Sequence, residues 1–274
     1  MPKSGRALGW RAPATEAIQP MKLLPLLILS AAVYTLSARG DTFTLDPTAS
    51  TLTVSGNNIY VGMFAPQGAN SLTTSYSGTI DATVTANSIT FNSAALAAAV
   101  SGNWQPAAGG AAGSAPADYG ITFAPPYTGL AYAAIRNLVL DLSSNAIPTT
   151  AGSFDSTQIS IAASSGTTDY TGPLGSGSID LTKLGSGPNG AMPGILTMVG
   201  GIETLTIPIS FSETLSVVGP NDTTATFTGT MVATEMLPVP EPGSWVLMLG
   251  GLGALLLFQR TRFRRVFVKD SLLL

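Results

Sequence analysis

The amino-acid sequence predicts an all-β protein: a single antiparallel β-sandwich or barrel-like domain, flanked by an N-terminal signal helix and a C-terminal transmembrane helix. Three observations predict this architecture. Apolar and polar residues alternate with period two through most of the central region. Turn-forming residues separate the alternating segments roughly every 8 to 15 positions. An uncharged apolar run lies near each end of the 274-residue chain.

The N-terminal region has the parts of a secretory signal peptide. Lys22 precedes an apolar stretch of about a dozen residues, and small residues follow it. We therefore predict a signal-peptide region over residues 1–40 and a mature chain that starts at or near Asp41. Met21 is an alternative initiation site, because residues 1–20 carry basic residues but no apolar run.

The central region, residues 41–237, is predicted to be one extracellular all-β domain. The alternation is clearest over residues 51–55, 79–84 and 204–211, where Thr and Ser form the polar face. Pro208 falls inside the last of these segments. Because proline cannot donate a backbone hydrogen bond, it predicts an edge strand or a bulge there.

Two stretches of the central region depart from the alternation. Residues 94–100 are rich in Ala and follow a serine, which favours a short helix. Residues 101–128 are rich in Gly, Ala and Pro and are predicted to form the main irregular stretch, a loop long enough to carry function. Aromatic rings can stack on flat groups, so we hypothesise that Trp104, Tyr119 and Tyr127 in this stretch contact polysaccharide. The alternative is that these rings cover the open end of the β core.

The charge is unevenly distributed. Residues 41–239 hold twelve acidic residues against two basic ones, Arg136 and Lys183, so this part carries a net charge of −10. Nucleic-acid binding requires phosphate neutralisation by Lys and Arg, so a nucleic-acid partner is excluded. The remaining basic residues lie in the terminal segments, as expected for the cytoplasmic sides of hydrophobic segments.

The residue types argue against catalysis. The chain has no Cys and no His, which removes thiol chemistry and the commonest general base and metal ligand. The acidic residues stand apart without the spacing of a calcium loop, so we read them as solvated strand faces and predict no metal, no cofactor and no enzymatic activity. A glycosidase pair formed by two acids that meet in space remains the alternative. The acids in question are Asp81, Asp118, Asp141, Asp155, Asp169, Asp180, Glu203 and Glu213.

The C-terminal region combines a proline-rich segment, an apolar run and a basic cluster. Residues 243–258 are uncharged and would span about 24 Å as a helix, so we predict a transmembrane helix there. The basic cluster belongs on the cytoplasmic side, which leaves the acidic domain outside and makes residues 266–274 a cytoplasmic tail. The predicted membrane stop consists of Arg260, Arg262, Arg264 and Arg265.

This C-terminal pattern resembles the PEP-CTERM sorting signal of Gram-negative bacteria over residues 238–265. Val239 precedes the tripeptide Pro240, Glu241 and Pro242, and the apolar run and the arginines follow in the order typical of that signal. The resemblance implies recognition by an exosortase, a membrane cysteine protease. It also implies cleavage near the tripeptide, transient residence in the inner membrane, and delivery to the cell surface or an extracellular polysaccharide matrix. The prolines bar helix and keep the segment extended, which suits access by a protease.

A second resemblance is carried by residues 44–52, which are similar to the opening of YceI-like barrels of the lipocalin type, with Ala49 where that family usually has His. It implies a buried isoprenoid-like ligand. The sequence thus predicts a non-catalytic, exported cell-surface or matrix protein that an exosortase sorts and cleaves. The alternative is a secreted binding module for a polysaccharide or an apolar ligand. A large apolar cavity would favour the alternative, and a filled core the first function.

Overall fold

The computed structural model describes residues 39–126, 129–173, 175–217, 219, 222–237 and 250–256. Most of these residues lie in antiparallel strands, so the predicted all-β class is confirmed. The strands are β1 (Arg39–Leu45), β2 (Thr51–Asn58), β3 (Gly62–Pro66), β4 (Thr73–Val84), β5 (Ser88–Ala98), β6 (Gly102–Trp104), β7 (Ala115–Ala117), β8 (Tyr119–Phe123), β9 (Tyr132–Ser143), β10 (Ile147–Thr150), β11 (Ser153–Phe154), β12 (Ser160–Gly172), β13 (Gly175–Asp180), β14 (Ser186–Pro188), β15 (Gly194–Val199), β16 (Ile202–Leu215) and β17 (Thr223–Met236). Short 3₁₀ turns cover Ala108–Gly110, Ser156–Gln158 and Leu181–Lys183.

The main sheet closes on itself. It runs in the order β17, β16, β15, β11, β10, β5, β4 and β2, and β2 pairs again with β17. The strands β1 and β2 act as one interrupted strand, because both lie between β4 and β17. At the other side, β2 continues through β3, β8, β9 and β12 to β13. The ring of pairings makes the domain barrel-like, as predicted.

The predicted alternation sets which side chains enter the core. Leu52 and Val54 of β2 are buried while their neighbours face solvent, and β16 buries every second residue from Glu203 to Phe211. Pro208 pairs with β17 on one side but lies beyond the end of β15 on the other, where its carbonyl accepts a 2.8 Å hydrogen bond from the Asn189 side chain. Because β16 lies between β15 and β17 and keeps an unbroken register with β17, the predicted edge strand or bulge was wrong. The proline is tolerated because β15 has already ended beside it.

One hydrophobic core fills the described part of the molecule. Its buried members all lie between Phe43 and Ala233, and stacked rings of Phe211 and Phe227, with centroids 4.9 Å apart, lie within it. Neither terminal segment supplies a core residue among those described. We therefore expect residues 41–237 to fold without the flanking segments.

Two local predictions were wrong. The expected helix at residues 94–100 is largely strand β5, because Leu96 pairs across to both β4 and Leu140 of β9, and this pairing overrides the helix propensity of alanine. The expected irregular stretch at residues 101–128 contains β6, β7 and β8, and β8 is buried along its whole length.

The flanking predictions fall mostly outside the described residues. Of the predicted signal-peptide region, only residues 39–40 are described, and they belong to β1, so a mature start at Asp41 lies inside that strand. Of the predicted transmembrane run 243–258, residues 250–256 are helical. Among the described residues, no helix has the length and hydropathy needed to cross a bilayer. The basic cluster and the tail 266–274 lie beyond the described residues.

Candidate functional site

Of the two described residues of the predicted glycan contact, Trp104 reaches the surface. Its indole N–H donates to the Ser101 hydroxyl at 2.8 Å, and the side chain is half-buried. The ring lies against a glycine on β8: a Cβ at Gly120 would stand 2.3 Å from its Cγ. Gly68 and Gly102 approach the same ring. The indole thus packs against three glycines, and a Cβ at any of them would collide with the ring.

Tyr119 does not fit the predicted glycan contact. It has no exposed surface, its hydroxyl lies 3.0 Å from that of Tyr76, and its ring meets Phe227 edge to face. Burial raises the pKa of Tyr119 well above its usual value. The residue belongs to the core because β8 is inserted between β3 and β9, a pairing that the sequence pattern did not reveal. Tyr127, the third predicted contact, lies outside the described residues.

Arg136 on β9 binds the segment that carries β6 and β7. Its guanidinium forms a buried ion pair with Asp169 on β12, with a 2.5 Å distance between Nη1 and Oδ2. It also donates to the carbonyl oxygens of Trp104, Pro106 and Pro116. The other oxygen of Asp169 accepts from the Gly109 N–H at 2.9 Å. Arg136 and its partner Asp169 therefore hold the segment that carries β6 and β7 against strands β9 and β12.

Three aspartates stabilise turns by accepting hydrogen bonds from a nearby threonine. In Asp46, Asp155 and Asp180 one carboxylate oxygen accepts from both the backbone N–H and the hydroxyl of the threonine two residues later. The threonine hydroxyl is the main cause that lowers the pKa of each of these carboxyls. The shared spacing, Asp-x-Thr, is the sequence signal that would have identified these turns.

Other acids also bind structural partners. Asp81 accepts from the Thr42 hydroxyl at 2.7 Å, and Asp141 accepts from the Ala94 N–H at 2.6 Å. Burial raises the pKa of the half-buried Glu213. Asp118, Asp169 and Glu203 are buried, so reading these three as solvated strand faces was wrong.

Asp118 gives the domain a pH-dependent stability. Burial raises the pKa of this carboxyl to about 6, although the Leu138 N–H donates to it at 2.8 Å and favours its charged form. Because the pKa of Asp118 in the folded state exceeds the ordinary carboxyl value of 3.8, the folded state binds more protons than the unfolded state between pH 3.8 and pH 6. The stabilising contribution of Asp118 to the free energy of unfolding is therefore fully present below pH 3.8 and is lost as the pH rises through 6.

We predict that wild type gains stability relative to Asp118→Asn as the pH falls from about 7.5 to about 4.5. The gain should be on the order of 1–2 kcal/mol once solvent screening is allowed for. Urea unfolding of residues 41–237 at both pH values measures it. An identical pH dependence of the two proteins would contradict the assignment.

Three carboxylates that are distant in the sequence meet inside the domain. Asp41 on β1, Glu203 on β16 and Glu235 on β17 each place one oxygen within 4.8 Å of the others. Glu203 and Glu235 are register partners, which explains their proximity. Within the described residues this is the set whose geometry can hold an oxygen-liganded cation such as Ca²⁺. Each of the three also has interactions with other groups.

An apolar cleft opens between the ends of the strands at one side of the barrel. Its volume is about 660 Å³ when the space open to solvent is counted, and about 60 Å³ admits the centre of a water-sized group. Its lining residues come from strands β2, β3, β8, β9, β12, β13, β16 and β17 and from the segments next to them. Its lining includes Val61, Phe64, Ile121, Phe123, Leu215 and Val217.

The predicted sorting residues Val239, Pro240, Glu241 and Pro242 and the four arginines of the membrane stop lie outside the described residues. Residues 238–265 match the family model of the PEP-CTERM protein-sorting motif. No curated protein and no solved structure matches the chain. The matched residues are those on which the sequence resemblance rests. The chain therefore carries a PEP-CTERM protein-sorting motif, and this motif implies exosortase-dependent sorting to the cell surface.

Proposed function

We propose that this protein is a non-catalytic surface or matrix protein, and that an exosortase removes its C-terminal tail near Pro240–Pro242. The motif at residues 238–265 carries the proposal. In this account the signal peptide exports the chain, residues 243–258 hold it briefly in the inner membrane, and the arginines stay on the cytoplasmic side. The β domain is the part that is delivered.

The organisation of the β domain supports the proposal that the tail is removed and the domain is delivered. All described core residues lie between Phe43 and Ala233, so removal of the tail would leave the core complete. A protein that loses its tail by proteolysis needs such independence. The net charge of −10 over residues 41–239 would also keep the released domain soluble among extracellular polymers.

The non-catalytic part of the proposal is supported by the roles of the acids. Asp46, Asp155 and Asp180 cap turns, and Asp169 pairs with Arg136. Polysaccharide contact remains a proposal that, among the described residues, rests on the half-buried ring of Trp104. Its test is retention on exopolysaccharide after Trp104→Ala, with unchanged retention of the folded variant counting against it.

Deleting the exosortase gene of the native host tests the proposed function. We expect the protein to accumulate in the membrane fraction at the mass of the uncut chain, and to return to the surface when the gene is restored. The same mass and the same location in both strains would contradict exosortase processing. A strain that lacks an unrelated membrane protease is the matched control.

A further inference from the structure

The apolar cleft carries an inference that goes beyond sorting and does not depend on it. We propose that the cleft is a binding site for a neutral ligand with a slim hydrocarbon chain. The chemistry of the lining, the volume of the cleft and the exposed apolar residues next to it support this assignment.

The lining offers contacts to hydrocarbon and no unpaired charge. Among the described residues that line the cleft, none is acidic or basic. Some of its polar side chains are already bound within the protein: Asn58 accepts from the N–H groups of Tyr60 and Val61 and donates to the Thr223 hydroxyl at 2.7 Å, and Tyr132 donates to a backbone carbonyl. A charged group placed in the cleft would lose hydration without gaining an oppositely charged partner from the described lining.

The size of the cleft limits the shape of the ligand. The total of about 660 Å³ includes space that is open to solvent, so the enclosed part of the cleft is much smaller. The 60 Å³ open to the centres of water-sized groups is several times the roughly 10–15 Å³ that one water requires. An enclosed space of this small volume favours a slim ligand, such as a single hydrocarbon chain, over a bulky one.

Exposed apolar side chains adjoin the lining in the sequence. Ile59 and Tyr60 lie between the lining residues Asn58 and Val61, and they are 65% and 50% exposed. Met63 precedes Phe64, and Leu130 precedes Ala131; they are 68% and 61% exposed. A chain longer than the cleft could continue over these side chains, which otherwise leave apolar surface in water.

The charge of the domain selects against anionic ligands. With a net charge of −10 over residues 41–239, the domain repels a fatty acid or an anionic headgroup at long range. The chemical class is therefore an uncharged lipid or alcohol with an alkyl or sparsely branched chain.

The test is calorimetric titration of residues 41–237 with 1-decanol, and with decanoate as the charged analogue of the same chain length. We expect saturable binding of 1-decanol at one site, and binding of decanoate at least tenfold weaker. Absence of saturable 1-decanol binding up to its solubility limit would overturn the proposal, as would equal or tighter binding of decanoate.

Val217→Trp should fill the mouth of the cleft and weaken 1-decanol binding at least tenfold. The matched control is Val199→Trp on β15, where the valine is 77% exposed and lines no part of the cleft, so its affinity should equal that of wild type. Thr171→Trp on β12 repeats the test at another lining residue if Val217→Trp lowers the unfolding temperature. Wild-type affinity in a folded cleft variant would overturn the assignment of the site. A failure here leaves the exosortase experiment unaffected.

Discussion

Replacing Arg136 by Met should lower the free energy of unfolding of the β domain by about 3–5 kcal/mol. The substitution leaves the buried carboxylate of Asp169 without its ionic partner. It also removes the donors to the carbonyl oxygens of Trp104, Pro106 and Pro116, so the segment that carries β6 and β7 should detach from β9. Urea unfolding of residues 41–237 measures the loss.

Lys183→Met is the matched control for this prediction. Lys183 is the other basic residue of the central region, and its exposed ammonium lies 3.9 Å from Asp180. Exposed pairs at this distance contribute little, so this variant should unfold like wild type. A double variant, Arg136→Met with Asp169→Leu, should recover part of the stability because no unpaired charge stays buried. If Arg136→Met costs no more than Lys183→Met, the proposed structural role of Arg136 is wrong.

Changing Pro240, Glu241 and Pro242 together to Ala should abolish delivery to the surface. The uncut chain should remain in the membrane fraction, with at least a tenfold decrease in the surface form, because the motif that the exosortase recognises is lost while the apolar run is kept. Immunoblots of fractionated cells of the native host measure both forms.

Pro238→Ala distinguishes recognition of the tripeptide from a general need for a proline-rich stalk. This variant removes a neighbouring proline but keeps the tripeptide, so it should be cut and delivered like wild type. Normal delivery of the triple variant would show that the tripeptide is not what directs sorting.

The fold class was predictable because β2, β4 and β16 bury alternate residues, and period-two patterns report such half-buried strands directly. Strands β6 and β7 were not predictable from pattern, because three-residue strands show little periodicity and are held by Arg136. A signal was present nonetheless: Arg136 is one of only two bases in an acidic region, and it stands among buried residues of β9.

The candidate sites also differ in how far the sequence alone could predict them. The sorting motif is contiguous, so its residues could be identified from the sequence and the family match confirms the motif. The carboxylate cluster joins Asp41 to Glu203 and Glu235 through pairing of strands from opposite ends of the domain, and no sequence spacing encodes it. The apolar cleft likewise depends on where strand ends converge. Tyr119 shows the limit most clearly, because an aromatic residue in a segment rich in Gly, Ala and Pro suggested a surface contact and instead lies in the core.

Intact-mass spectrometry of the mature protein from its native host tests the central claim most directly. We predict a polypeptide that begins at or near Asp41 and ends close to Pro240–Pro242, without the apolar run and the arginines. An extracellular protein that still contains Leu274, or recovery of the mature chain from the cytosol, would contradict it.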